Sequence, residues 1–285
     1  LANALSLPVT LVEVVYQYSA STGTSSQVLP IPGIYLRLEN EARDHLGKIA
    51  TRIREQGVES VQEIMRRGDA AAEIIAEADQ GQADLIVMAT HGRSGVSRWT
   101  LGSVCDRVVR HSESPVLAIR AQGDEAGGPP AGDISRIVVP LDGSGLGEQI
   151  LPPVTDLARA LNVPVALIRV GEMADLYEGY WPDDADEARK LDEAATAYLT
   201  HHVARLSALG VESVESTVLH GRNAEKILSF AAEQAGTLVA MTTHGRSGIS
   251  RWALGGVADR VIRHHSGYTM VLKALPVEEP EEVEI

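Results

Sequence analysis

Cysteine occurs once in the 285 residues, so no intrachain disulfide can form, and a reducing cytoplasm is the compartment this favours. Positive charge is scarce: 25 Lys and Arg stand against 39 Asp and Glu, a formal net charge of −14. Phosphate backbones and anionic membranes repel such a surface, which argues against broad binding to DNA, RNA or membrane. No apolar run approaches the roughly 18 residues of a membrane span. Leu1 to Val15 carry no basic start and no cleavage pattern of a secretory leader. No G-x4-G-K-[ST] motif occurs, which excludes a P-loop NTPase. What is present, 44% hydrophobic and 22% charged residues, is a globular composition long enough for two ordinary domains.

The chain repeats itself. Met88 to His111 and Met241 to His264 are identical at about three quarters of their positions, at a constant offset of 153. Leu1 to Val14, LANALSLPVTLVEV, lines up with Leu157 to Val170, LARALNVPVALIRV, at an offset of 156. Two copies of one domain are therefore expected, at 1–121 and 134–276. A Gly-, Pro- and acid-rich linker joins them at 122–133, and an acidic tail follows at 277–285. The second copy has Ile134 to Asp156 ahead of its matching segment and the first has nothing there. The first domain is thus expected to lack a strand and most of a helix, as if the sequence began about 23 residues into it.

In the second copy, short β-branched apolar runs predict strands at Arg136–Leu141, Val165–Val170, Val214–Leu219, Leu238–Thr243 and Thr269–Ala274. Helices are predicted at Glu148–Leu161, Glu187–Leu209, Ala224–Gln234 and Gly256–His264, and a loop holds Tyr177, Tyr180 and Trp181. The first copy repeats this from the second strand onward, ending at Val116–Arg120. Such alternation predicts right-handed βαβ units and a parallel sheet covered on both faces.

In open α/β sheets ligands sit beyond the carboxyl ends of the strands, where the strand order switches. The first strand of the second copy ends in Pro140-Leu141-Asp142-Gly143. The fourth ends in Met241-Thr242-Thr243-His244-Gly245, followed by nine residues and Gly255-Gly256 at a helix start. In the first copy the corresponding stretch is Met88-Ala89-Thr90-His91-Gly92, nine residues, then Gly102-Ser103. Helix-start amides and the helix dipole favour phosphate, and glycines let it approach the main chain. Arg93 and Arg246 would add charge, Ser103 a hydroxyl donor, and Asp142 an acceptor for a ribose hydroxyl or an adenine amine. Gly143-Ser144-Gly145-Leu146-Gly147 fails as a dinucleotide fingerprint because Glu148 stands where the third glycine belongs. His91 and His244 are expected to hydrogen-bond within their loops. His201-His202 and His264-His265 lack partners at zinc spacing. Cys105 reads as a small buried core residue, Trp99 and Trp252 as packing anchors, and Asp106-Arg107 and Asp259-Arg260 as ion pairs.

These motifs, VVPLDGS, THGRSG, the nine-residue gap with LGSV, and PVL at the last strand, resemble the universal stress protein family. Its nucleotide-binding members carry G-x2-G-x9-G-[ST] after strand four. The resemblance implies two tandem Rossmann-like domains, each a five-stranded parallel sheet in order 3-2-1-4-5. It implies ATP bound between strands one and four, with magnesium or manganese as an accompanying ion. Carried over, the nucleotide residues are Val14, Met88, Ala89, Gly92, Arg93, Gly102, Ser103 and Val104 in the first copy. In the second they are Pro140, Asp142, Val170, Met241, Thr242, Gly245, Arg246, Gly255, Gly256 and Val257. Two departures matter: the first motif glycine is Ala89 or Thr242, and the final Ser/Thr is Ser103 but Gly256. The first copy therefore has the better phosphate loop and is expected to be the stronger binder in the full-length protein. By the same resemblance, the fifth strands of the two copies pair antiparallel and make an intrachain pseudo-dimer, with a homodimer of whole chains also compatible. The function implied is nucleotide-dependent regulation or protection under stress. Hydrolysis is expected to be slow or absent, because no nucleophile, base and metal carboxylate set is evident. A ligand-free dimerisation scaffold and an adenine-nucleotide hydrolase of the same fold are the competing readings.

Overall fold

The computed structural model describes residues 1–16, 32–90, 101–120, 133–171, 185–245 and 254–275. They form two compact units, Leu1–Gly81 and Gln82–Ile285. The first unit holds α1 (Ala2–Leu5), β1 (Val9–Tyr16), α2 (Pro32–Glu55), β2 (Val61–Gly68) and α3 (Ala70–Gln80). Its sheet is the parallel pair β1–β2, in register from Val9↔Val61 to Tyr16↔Gly68.

The second unit holds β3 (Ile86–Ala89), α4 (Ser103–His111), β4 (Val116–Ile119), β5 (Arg136–Pro140), α5 (Gly145–Glu148), α6 (Leu151–Leu161) and β6 (Val165–Gly171). It continues with α7 (Ala185–Ala208), β7 (Val214–His220), α8 (Asn223–Ala232), β8 (Thr237–Thr242), α9 (Gly256–His264) and β9 (Tyr268–Leu272). Its sheet has seven strands in the order β3-β4-β9-β8-β5-β6-β7. The five strands of the second repeat, read from β7 to β9, are the expected 3-2-1-4-5, all parallel. Ile137, Val138, Val139, Leu167, Ile168, Leu238 and Val239 are fully buried, as strands covered on both faces must be.

The duplication is also visible in backbone geometry. Ser6 and Asn162, at the same repeat position, end their helices in the left-handed conformation with φ 54° and 52°. Gly57 and Gly210, after the long helices, adopt φ 93° and 90°, a turn that a side chain would strain. The predicted helix from Glu148 to Leu161 is corrected to two helices. Ser144 caps a first turn at Gly145–Glu148, accepting from the Gly147 amide, and α6 restarts at Leu151 with proline in its first turn.

The compact units do not follow the repeats. β3 and β4 belong to the first repeat, yet β4 pairs antiparallel with β9 and so extends the second repeat's sheet. The register is Val116↔Val271, Leu117↔Met270, Ala118↔Thr269 and Ile119↔Tyr268. This seam is dry: Leu117 is fully buried, and Val116, Ala118, Thr269, Met270 and Val271 are nearly so. Flanking it, Asp106 pairs with Arg110 on α4 and Asp259 with Arg263 on α9. Both aspartates are thus in ion pairs one helical turn long, and Arg260 lies 3.9 Å from Glu225. Arg110 and Arg263 each also feel the aspartate of the opposite helix, and Arg120 donates to the Arg263 carbonyl at 2.6 Å.

β3 is a terminal strand of this sheet, whereas its counterpart β8 is flanked by β5 and β9. The difference shows in burial. Val87 is 52% exposed, while Ala240, its equivalent, is fully buried.

Candidate functional site

β6, β5 and β8 are adjacent and parallel, so Val170, Pro140, Asp142, Met241 and Thr242 lie together at their carboxyl ends. Helices leave this end toward both flanks, which makes the β5–β8 gap the switch point of the sheet. Asp142 bridges it. Its Oδ1 accepts from the Ser144 amide at 2.9 Å and the Ser144 hydroxyl at 2.7 Å. The carboxylate is wedged between Gly147 of α5 and Gly245 of the segment after β8. A Cβ on Gly147 would stand 2.7 Å from Asp142 Oδ1, and one on Gly245 would stand 2.8 Å from Asp142 Cγ and collide with Oδ2. Gly245 therefore lets the strand-one carboxylate reach the loop after strand four.

The loop closes on itself at Gly255. Its N–H donates to the Thr243 carbonyl at 2.9 Å, and a Cβ there would lie 2.7 Å from that oxygen. Gly102 makes the same bond to Thr90 at 2.8 Å, with the same backbone conformation. The amides of Gly102 and Gly255 are thus used by the protein's own main chain, and a phosphate would meet the next positions, Ser103–Val104 or Gly256–Val257. Among the described residues neither α4 nor α9 has a side-chain cap on its N-terminus. Ser103 and Gly256 are exposed, and a Cβ on Gly256 would meet nothing within 4 Å.

Thr242 is buried, and its hydroxyl donates to the His244 carbonyl at 2.7 Å, so this branched side chain is turned into the loop rather than over the crevice. His244 Nδ1 lies 3.1 Å from the Thr243 hydroxyl, which also accepts from the Ala274 amide, as expected of a loop-holding histidine.

The first repeat's residues are divided. Val14 is in the first compact unit, whereas Met88, Ala89, Gly102, Ser103 and Val104 are in the second. Ala89 is exposed and Met88 half-buried, where Thr242 and Met241 are buried. Gly92, Arg93, Arg246, His91, Trp99, Trp252, Tyr177, Tyr180 and Trp181 lie outside the described residues.

Cys105 sits in the first turn of α4, 2% exposed, and burial first, then the neighbouring Asp106 charge, push its thiol up to about 12. Burial of this kind disfavours the thiolate and fits the packing role expected from sequence. As the lone cysteine, it should resist a disulfide reagent in the native protein and react promptly in denaturant. Native-state reaction at the rate of a free cysteine would show that α4 is not seated as described.

Sequence reasoning missed one group beside the site. Glu148 Oε1 accepts from the Tyr198 hydroxyl at 3.0 Å and lies 3.3 Å from His202 Nε2. The Arg169 guanidinium lies over the Tyr198 ring, 5.1 Å from its centroid. Burial and the Glu148 carboxylate hold the Tyr198 hydroxyl well above the usual phenol range. The i, i+4 spacing of Tyr198 and His202 was the available signal, since it puts both on one helix face.

Residues 1–120 and 134–273 match the universal stress protein family. A universal stress protein of Methanocaldococcus jannaschii is 39% identical over 83 residues, which is 29% of this chain and 48% of that protein. One of Mycobacterium tuberculosis is 28% identical over 188 residues, 64% of this chain and 59% of its own length. The chain thus spans about half of the length of these curated relatives. Among solved structures, a universal stress protein from Archaeoglobus fulgidus superposes with a TM-score of 0.70 at 21% identity, covering 95% of this chain and 90% of its own. No helix among the described residues is long and apolar enough to cross a membrane. With the family matched across both repeats and the seven-stranded sheet in place, the chain belongs to the universal stress protein family.

Proposed function

We propose that the second repeat binds an adenine nucleotide, ATP, at the carboxyl ends of β5 and β8, and that binding serves regulation or protection rather than turnover. The observation that carries this reading is the Asp142–Gly245 contact, which brings an acceptor for ribose or adenine against the glycine that follows β8, with the glycine-led N-terminus of α9 close behind in the chain. Each repeat, 1–121 and 134–276, is the evolutionary unit of this reading, and the β4–β9 seam joins them as a pseudo-dimer within one chain. Among the described residues no three His, Cys, Asp or Glu side chains form a metal cluster. A magnesium or manganese ion would come with the triphosphate, ligated mainly by its oxygens, with Asp142 as a carboxylate at the site.

Titration of the chain with a fluorescent ATP analogue tests the reading, and saturable binding displaced by ATP is the expected result. Absence of saturable binding would leave the scaffold reading in its place. The open space beside Gly256 allows a sharper prediction. Gly256→Ser supplies the hydroxyl that Ser103 has at the same helix position, and one added hydrogen bond should tighten ATP about fivefold. An unchanged affinity would show that phosphate does not reach α9.

A further inference from the structure

We infer that Glu148, Tyr198 and His202 form a proton-sensitive brace behind the turn that presents Asp142, so that the grip on nucleotide loosens on acidification. The inference rests on the nucleotide reading above for its consequence, but not for the brace itself.

The turn and the brace are one hydrogen-bonded chain. Asp142 accepts twice from Ser144, Ser144 Oγ accepts from the Gly147 amide at 3.0 Å, and the next residue is Glu148. α5 has only the four residues Gly145–Glu148, too few to hold itself together. Glu148 ties it to α7 through a single carboxylate oxygen, which takes both the Tyr198 hydroxyl and the His202 Nε2 contact. The Tyr198 and His202 rings meet edge to face at 4.7 Å.

His202 is 2% exposed, and its Nδ1 is buried with no hydrogen-bond partner among the described residues. The neutral ring fits this place if Nε2 carries the proton toward Glu148 and Nδ1 stays bare. A second proton must enter at Nδ1, where no acceptor waits, and a buried imidazolium must be tolerated. The charged groups facing the ring are Glu148 from α5, which favours protonation, and His201 and Arg205 from its own helix, which oppose it. Burial outweighs Glu148 and holds the folded-state value below the ordinary 6.5. The sign follows. The closed brace is at full strength above the unfolded value of 6.5, and it is lost as pH falls below that toward the depressed folded value, because open forms take the proton more readily. His265 is buried with a depressed value of the same sign, so whole-chain stability is the wrong readout and a local one is required.

Hydrogen exchange of the segment Asp142–Gln149, corrected for intrinsic rates, is measured at about pH 7.5 and about pH 5.5 in wild type, His202→Gln and Tyr198→Phe. Glutamine keeps a donor for Glu148 without titrating. Protection in wild type should fall about fivefold on acidification and stay flat in His202→Gln. Tyr198→Phe should be less protected than wild type at both pH values, which keeps the test informative if His202→Gln fails to fold. A flat wild-type response, or an equal fall in His202→Gln, would overturn the brace. Fluorescent-ATP titrations of the same proteins form the second arm, in which phosphate ionisation affects all variants alike. Affinity that falls with pH in wild type and not in His202→Gln supports the coupling. Protection that shifts while no nucleotide binds at either pH supports the brace and rejects the nucleotide reading. Nucleotide binding with unshifted protection does the reverse.

Discussion

Gly245→Ala is expected to cost the second repeat both stability, about 2 kcal/mol, and at least tenfold in ATP affinity. The new methyl would sit 2.8 Å from Asp142 Cγ and nearer still to Oδ2. Asp142 has only two side-chain torsions, and it is pinned by both Ser144 bonds and backed by Gly147. It cannot step aside without breaking charge-assisted hydrogen bonds, each of which contributes about 1.5–3 kcal/mol. All three of the atoms nearest the added methyl belong to Asp142, which makes the conflict specific. Asp142→Ala in the same chain should therefore relieve most of the stability loss, a coupling of about 1–3 kcal/mol in a double-mutant cycle. It should not relieve the loss of binding, because the acceptor goes with the clash. Urea unfolding of the four proteins gives the stability cycle, and nucleotide titration gives the binding one. If Gly245→Ala binds ATP as wild type does, the Asp142–Gly245 contact plays no part in ligand recognition.

What the sequence revealed of this molecule depended on how local each signal was. The repeat offset, the strand runs and the helix at Gly256–His264 are local patterns, and the structure reproduces them, the last with the same ends. The break between α5 and α6 was missed because Ser144 and Pro152-Pro153 each mark a helix start, and only the Ser144–Gly147 bond shows that both are used. Asp142 and Gly245 were legible as strand-end residues, but their contact spans about a hundred positions and has no local signature. Glu148 is a harder case. In the sequence it spoils a glycine motif and opens a predicted helix, while its partners Tyr198 and His202 lie some fifty residues away on another helix. The division at Gly81 was not legible at all. A repeat offset treats equivalent strands as equals, whereas sheet membership follows pairing. β3 and β4 pair toward β9, and among the described residues β3 pairs with β4 alone, whereas β8 lies between β5 and β9.

That pairing makes the β4–β9 seam the second point of large effect. Leu117 and Met270 are directly opposite in the register, and both are almost wholly buried. Leu117→Ala should cost about 3 kcal/mol, the sum of lost transfer energy and the cavity left behind, and Met270→Ala a similar amount. Because the two truncations open one shared space, the double variant should cost about 1 kcal/mol less than the sum. The ion pairs Asp106–Arg110 and Asp259–Arg263 do not compensate, since they are partly exposed, within-helix pairs that contribute little each. Urea titration reads both the midpoint and its slope. A cost below about 0.5 kcal/mol for Leu117→Ala would mean that β4 is only loosely laid against β9. A reduced slope with a separate early transition would mean that β3 and β4 come away first while the sheet from β9 to β7 persists. The seam as described, in register across four residue pairs, requires instead that the second compact unit unfold in one transition, which moves to lower urea in all three variants.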